Sequence, residues 1–175
     1  MNTTIRDREN LVEGHRPITL GTGVTMQSKG VNVTEFTIPS TSQAVASAAL
    51  GFGIELGKLP KGKIAVLGVG LDLTYVADGA CAVAPDIGVG TVVASGAVSV
   101  LGGTGTFEDC LDGQTATVFN GTTEVDYAIY QAGQTDNKDG SSTAKTLYLN
   151  IAGNWNVTVG LTFTGKVTVI WTELS

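Results

Sequence analysis

The chain has 175 residues, 16 acidic and 10 basic side chains and a formal net charge of −6, a length that supports one domain burying about 70% of its unfolded surface. A charged fraction of 15% with a positive mean hydropathy of +0.21 excludes a disordered chain, and the acidic balance excludes a nucleic-acid binder, which needs clustered Lys and Arg to neutralise phosphates. The charge-poor run from Gly79 to Gly105 is broken by Pro85, Asp86 and several glycines, so no membrane span is expected there.

In chain order, residues 1–17 come first, with Arg6, Arg8, Arg16 and the sole histidine, His15, and without period-two alternation. They read as an extended N-terminal arm, and for want of an apolar stretch as neither a secretory signal nor a transit peptide. Residues 18–175 read as a single domain in which apolar residues recur at period two far more often than at 3.6. The expected strands are Ile18–Met26, Val31–Ile38, Lys63–Val76, Gly90–Val100, Thr115–Phe119, Glu124–Gln131 and Thr143–Ile151. Turn residues separate them at Ser28–Gly30, Leu59–Gly62, Ala77–Gly79, Leu111–Gly113, Asn120–Gly121 and the polar stretch Asp136–Gly140. The alanine-rich segment Thr41–Leu50 could start a helix behind Pro39 and Ser40. Gly51, Gly53 and Gly57 weaken any continuation, and Phe52, Ile54 and Leu56 alternate strictly, so a strand is expected over that stretch. At the end, Val157, Val159, Leu161 and Phe163 alternate with polar residues, and the pattern resumes at Val167, Val169 and Trp171. The intervening Gly165-Lys166 predicts a hairpin. Many short strands without an amphipathic helix predict an all-β antiparallel sandwich or barrel.

No motif carries a recognisable chemistry. Gly57–Lys63 fits the Gly-four-Gly-Lys frame of a phosphate loop, but Ile64 stands where Ser or Thr would hold magnesium and a strand is expected to follow, so a turn at Pro60 is the better reading. The pairs Gly21/Gly23, Gly68/Gly70, Gly88/Gly90 and Gly103/Gly105 lack the third glycine of a dinucleotide fingerprint and read as bulges, turns or places of close strand approach. Cys81 and Cys110 belong to no CxxC pair and read as two buried thiols, with a disulfide as the alternative. His15, alone and in the arm, cannot be held against a nucleophile. Glu108, Asp109 and Asp112 around one turn, and Glu124 with Asp126 on one strand face, read as solvated acids before a calcium site or a glycosidase pair. Lys138 breaks the calcium-loop pattern of Asp136–Gly140. No enzyme, metal or cofactor is therefore expected.

The Leu59–Val69 stretch, in which a turn launches a strand, the Val-Ala-Gly-Thr run from Gly88, and the ending from Leu147 with Gly165–Ser175 resemble small virion proteins of tailed bacteriophages, the capsid decoration or cement proteins. The resemblance implies a jelly-roll-like sandwich that binds the outer capsid surface and clamps neighbouring capsomers. It also implies a virion location after synthesis in the host cytoplasm, the major capsid protein as partner, and self-association as a homotrimer. Arg6, Arg8 and Arg16 of the arm are then the candidate docking residues, since Arg pairs with carboxylates in bidentate fashion. The alternative is a carbohydrate-binding or adhesin-like sandwich, displayed on a virion or cell surface, stacking sugars on Trp155, Tyr127, Tyr130 or Tyr148.

Overall fold

A computed structural model describes residues 21, 23, 25–28, 33–101, 106–116, 123–132, 137–155 and 157–174; the arm, residues 1–17, lies outside them. The valine- and threonine-rich stretches form ten strands: β1 (Thr25–Ser28), β2 (Val33–Val45), β3 (Gly51–Lys58), β4 (Lys63–Ala77), β5 (Asp86–Gly90), β6 (Leu111–Thr115), β7 (Val125–Ala132), β8 (Asn137–Asp139), β9 (Thr146–Ala152) and β10 (Val159–Leu174). A six-stranded sheet runs β1-β2-β10-β4-β7, with β8 beside β4, and a four-stranded sheet runs β3-β9-β5-β6. Every pairing is antiparallel.

The path between the sheets is that of a jelly roll. The chain crosses from one sheet to the other at β2→β3, β3→β4, β4→β5, β6→β7, β8→β9 and β9→β10, and stays within a sheet for the β5–β6 pair. Eight strands, β2 to β7 with β9 and β10, thus form two facing sets of four. The all-β jelly-roll sandwich expected from sequence is the fold.

Period-two patterning places the core between the sheets. Phe36, Ile38, Leu71, Leu73, Tyr75, Leu161, Phe163, Val167 and Val169 from the larger sheet meet Leu56, Ile87, Leu147, Leu149 and Ile151 from the smaller, all buried. Phe52 and Phe163 pack ring to ring across the gap at 5.4 Å. Trp171 is buried with its indole N–H donating to Thr34 Oγ1 at 3.0 Å, which satisfies the one polar atom its burial would otherwise strand.

Several local expectations are corrected. The terminal hairpin is one strand, β10, sixteen residues long. Its inward residues keep a single parity from Leu161 to Trp171, and Gly165 meets a register shift against β2. The extra residue lies in β2 at Pro39–Ser40, where a proline without an N–H fits a bulge. Gly165 has φ 142 and packs so tightly on β4 that a Cβ would sit 2.8 Å from Leu73 Cα, so the glycine is required by close approach and not by a turn. Second, Gly90–Val100 is no strand: β5 ends at Gly90 and an irregular segment follows. The strand expected in place of a helix behind Pro39 and Ser40 is present in two pieces: Thr41–Val45 extends β2, and β3 carries Phe52, Ile54 and Leu56. The expected turn at Leu111–Gly113 is the start of β6, and β8 lies inside the expected polar loop.

The segment after β5 lies over the outer face of the smaller sheet. Ala94 and Leu101, with Val98 and Phe107, pack on Ala152 as a second, small core. Asn150 on β9, fully buried, ties this lid down: its Oδ1 accepts from the Ala94 N–H at 2.9 Å, and its Nδ2 donates to the Val92 and Phe107 carbonyls at 2.9 and 2.6 Å. Gly90 beneath the lid has no room for a Cβ, which would overlap the Phe107 backbone. The Gly88/Gly90 pair is thus a place of close chain approach, as its spacing suggests.

Candidate functional site: the open face of the larger sheet

With the smaller sheet lidded, no described segment covers the outer face of the larger sheet between β10 and β7. Antiparallel register lines up its outward residues in rows across β2, β10, β4 and β7. One row is Glu35, Thr168, Gly70 and Tyr130; the next is Thr37, Lys166, Asp72 and Ala128. Between β10 and β7 the surface dips into a depression of about 510 Å³ lined by Gly70, Asp72, Ala128, Tyr130, Lys166 and Thr168, among others. That volume is of small-ligand size.

Gly68 and Gly70 create the dip and Tyr130 forms its wall. The Cδ2–Cε2–Cζ–Oη side of the Tyr130 ring runs along the two glycines, close enough that a Cβ on Gly68 would lie 3.0 Å from Cζ and one on Gly70 3.5 Å from Cδ2. The rest of the ring faces outward, and Tyr130 is 64% exposed, the most exposed of the large hydrophobic side chains. Opposite, the Lys166 ammonium lies 3.3 Å from Glu35 Oε1 and is half exposed. Asp72 is the direct cross-strand neighbour of Lys166 and is exposed, yet Lys166 turns to Glu35. In the row beyond, Thr74 Oγ1 donates to Asp126 Oδ1 at 2.8 Å. The face thus offers an aromatic surface, an ammonium, a carboxylate and the Thr168 hydroxyl within one shallow dip.

The other aromatic candidates are placed elsewhere. Trp155 is 1% exposed, with its indole N–H donating to the Leu50 carbonyl at 2.8 Å, so it is a core residue and no platform. Tyr127 points inward from β7, and burial, with the charge of Asp86, raises its phenol pKa. Tyr148 is half-buried on β9.

Two of the three acids of the turn, Glu108 and Asp109, are largely buried and committed, whereas Asp112 is solvated as expected. Asp109 accepts from the Thr91 N–H and hydroxyl at 2.7 and 2.8 Å and pairs with Lys138 of β8 at 3.0 Å. Glu108 accepts from the Gly113 N–H at 2.6 Å. The Asp109–Lys138 pair joins the loop before β6 to the larger sheet. Asp112 is exposed on β6, and Glu124 and Asp126 are exposed at β7. Among the described residues no three metal-ligating groups gather. Cys81 and Cys110 are free and buried. Burial first, then the charge of Asp109, pushes the Cys110 thiol up to about 12. Gly57–Lys63 is a bend between β3 and β4, with Gly62 at φ 141, and no helix follows. Arg6, Arg8 and Arg16 lie outside the described residues, as does His15.

Sequence reasoning named Tyr130 but missed Asp72, Lys166 and Thr168, whose only link is register across three strands; Lys166 had been read as a turn residue.

No protein-family model matches the chain. No curated protein matches it either. Among solved structures, a structure of CBM4 aligns over 91% of this chain and 90% of its own at 11% identity and a TM-score of 0.40. A chain of the infectious bursal disease virus Gx strain aligns over 81% of this chain at 10% identity and a TM-score of 0.40, and this chain spans 32% of its length. A chain of the acid-stable capsid of Helicobacter pylori bacteriophage KHP30 aligns over 77% of this chain and 100% of its own at 14% identity and a TM-score of 0.22. The neighbours therefore include viral capsid structures and a carbohydrate-binding module, and at these scores the likeness decides nothing between their functions.

Proposed function

We propose that the chain is a non-enzymatic virion structural protein of the capsid decoration or cement type, which docks on the outer surface of an assembled shell and braces neighbouring capsomers. The observation that carries this reading is the braced lid. Asn150 and the small core of Ala94 and Leu101 hold the lid rigidly on the smaller sheet, while it presents Val92, Val93 and Val100 to solvent at 42%, 40% and 50% exposure. Preformed apolar side chains on a rigid loop suit docking against protein, because little conformational entropy is lost on binding. The buried acids serve the same end, since Asp109 and Glu108 are engaged in holding loops to sheets. The major capsid protein is the partner in this reading, the homotrimer is the form that docks, and Arg6, Arg8 and Arg16 of the arm add polar anchors.

The test is addition of the purified chain to shells stripped of decoration, read by particle imaging. Density at defined symmetry axes, lost when residues 1–16 are deleted and weakened by Val93→Asp, is the expected result. Absence of the chain from the shells refutes the reading; full occupancy by the truncated chain refutes the role of the arm.

A further inference from the structure

We propose that the depression beside Tyr130 is a binding site for a neutral oligosaccharide, with Tyr130 as the stacking surface and Asp72, Lys166 and Thr168 as the groups that hold sugar hydroxyls. The inference stands apart from shell docking, which uses the lid on the opposite outer face.

A sugar ring has one apolar C–H face and a rim of hydroxyls, each both donor and acceptor. Its complement is an aromatic surface open on one side, flanked by fixed acceptors and donors at ring distance. Tyr130 supplies the aromatic surface and lies against Gly68 and Gly70: a Cβ at Gly68 would press on the end of the ring, 3.0 Å from Cζ, whereas one at Gly70 would touch Cδ2 at an ordinary 3.5 Å. Asp72 supplies the acceptor, and among the described residues no hydrogen-bond or ion-pair partner occupies its carboxylate. Lys166 supplies a donor whose place is fixed by Glu35, 3.3 Å away on the far side. Thr168 can act either way. All four sit on three adjacent strands, β10 and β4 inside the sheet and β7 at its edge, so the groups are held by ladder hydrogen bonds and not by loops.

Charge selects the ligand class. Among the described residues at or next to the depression, Asp72 and Asp126 are exposed beside one ammonium, Lys166, that already pairs with Glu35, and the chain carries −6. A sulfated or sialylated glycan would meet repulsion that a neutral one does not. An apolar peptide would desolvate the Asp72 carboxylate without giving it a partner.

The experiment is a glycan array carrying neutral hexose oligomers beside sialylated and sulfated ones, probed with the whole chain, followed by calorimetric titration of the best neutral ligand. Saturable binding to neutral oligomers is expected. Tyr130→Ala weakens it by about tenfold or more, whereas Tyr130→Phe, which keeps the ring, stays within about threefold. Asp72→Asn, an exposed change that cannot unfold the sheet, weakens it by about threefold or more. Trp155→Phe leaves it unchanged. No saturable binding to any neutral oligomer overturns the proposal, as does a preference for the acidic glycans or unaltered binding by Tyr130→Ala and Asp72→Asn.

Discussion

The lid is held by a polar residue inside an apolar surround, and removing that residue tests the account directly. Asn150→Leu keeps the volume but deletes all three bonds, to Ala94, Val92 and Phe107. Each is worth about 1 kcal/mol net, and each backbone group left buried without a partner costs about 1–3 kcal/mol. A loss of about 3–5 kcal/mol is therefore expected if the lid stays closed around the leucine. The lid need not stay closed: when its own attachment is worth less than that, it opens, regains water and caps the loss at the free energy of its docking. Thermal unfolding and hydrogen exchange separate the two cases. At about 2–4 °C per kcal/mol for a domain of this size, the closed case lowers the thermal midpoint by roughly 6–20 °C. In the open case the midpoint moves less, but the Ala94 amide exchanges freely while Val167 and Val169 on β10 stay protected. A variant that loses under about 1 kcal/mol and still protects the Ala94 amide would refute the claim that Asn150 holds the lid.

Lys138→Met leaves the largely buried Asp109 carboxylate with its Thr91 bonds and the weak Cys110 Sγ contact at 3.9 Å, and urea unfolding should show a loss of about 3 kcal/mol; a change within about 0.5 kcal/mol would mean the pair is not a clasp. Gly165→Ala forces a side chain against Leu73 at φ 142 and should cost about 2 kcal/mol or more by the same measurement; near-neutral behaviour would contradict the close packing of β10 on β4. The Cys110 thiol, raised from 9.0 to about 12 by burial, binds its proton more tightly folded than unfolded. Its contribution is complete below pH 9 and is lost as pH rises from 9 towards 12, at up to about 1.4 kcal/mol per pH unit. Cys110→Ala should flatten that alkaline fall, and an unchanged slope would assign it elsewhere, to Tyr127 first. Iodoacetamide at pH 8 should leave Cys110 unmodified until urea unfolds the chain; rapid native labelling would contradict its burial.

The fold class was legible because period-two burial is a local signal, and β4, β7 and β9 lie close to where alternation put them. β10 was cut in two because glycine marks both turns and close approach. The unbroken inward parity of Phe163, Gly165 and Val167 was available in the sequence, whereas the Pro39–Ser40 bulge that calls for the glycine is a partner strand's property. The valine-rich run after Gly90 alternates as a strand would, yet in place of a ladder it makes an isolated bridge, Gly96 to Gly51 of β3, and lies on the smaller sheet as a lid. What marked it as a covering segment was Asn150, a polar residue on β9 with no reason of its own to be buried. Trp155 looked like a platform because single-sequence reading cannot tell a tryptophan held by the Leu50 carbonyl from one facing solvent.

The asymmetry between the two outer faces follows from where the glycines fall. On the smaller sheet, Gly88 and Gly90 of β5 sit under backbone and side chains of the covering segment, with contacts to Leu111 and Phe107. On the larger sheet Gly68 is overlaid by Tyr130, and Gly70 by Tyr130 with the Thr168 side chain beside it. The same residue type thus thins both sheets, but one hollow is filled by the chain itself and the other by an aromatic ring that stays largely in water. A ring laid over glycines shields an otherwise bare ladder, which stabilises the sheet whether or not anything binds. Tyr130→Phe keeps that shielding and Tyr130→Ala removes it, while Asp72→Asn leaves it untouched. Unfolding measurements on the three therefore report the ring's structural share, and a binding loss in Asp72→Asn at unchanged stability isolates recognition by this face from the upkeep of the sheet beneath it.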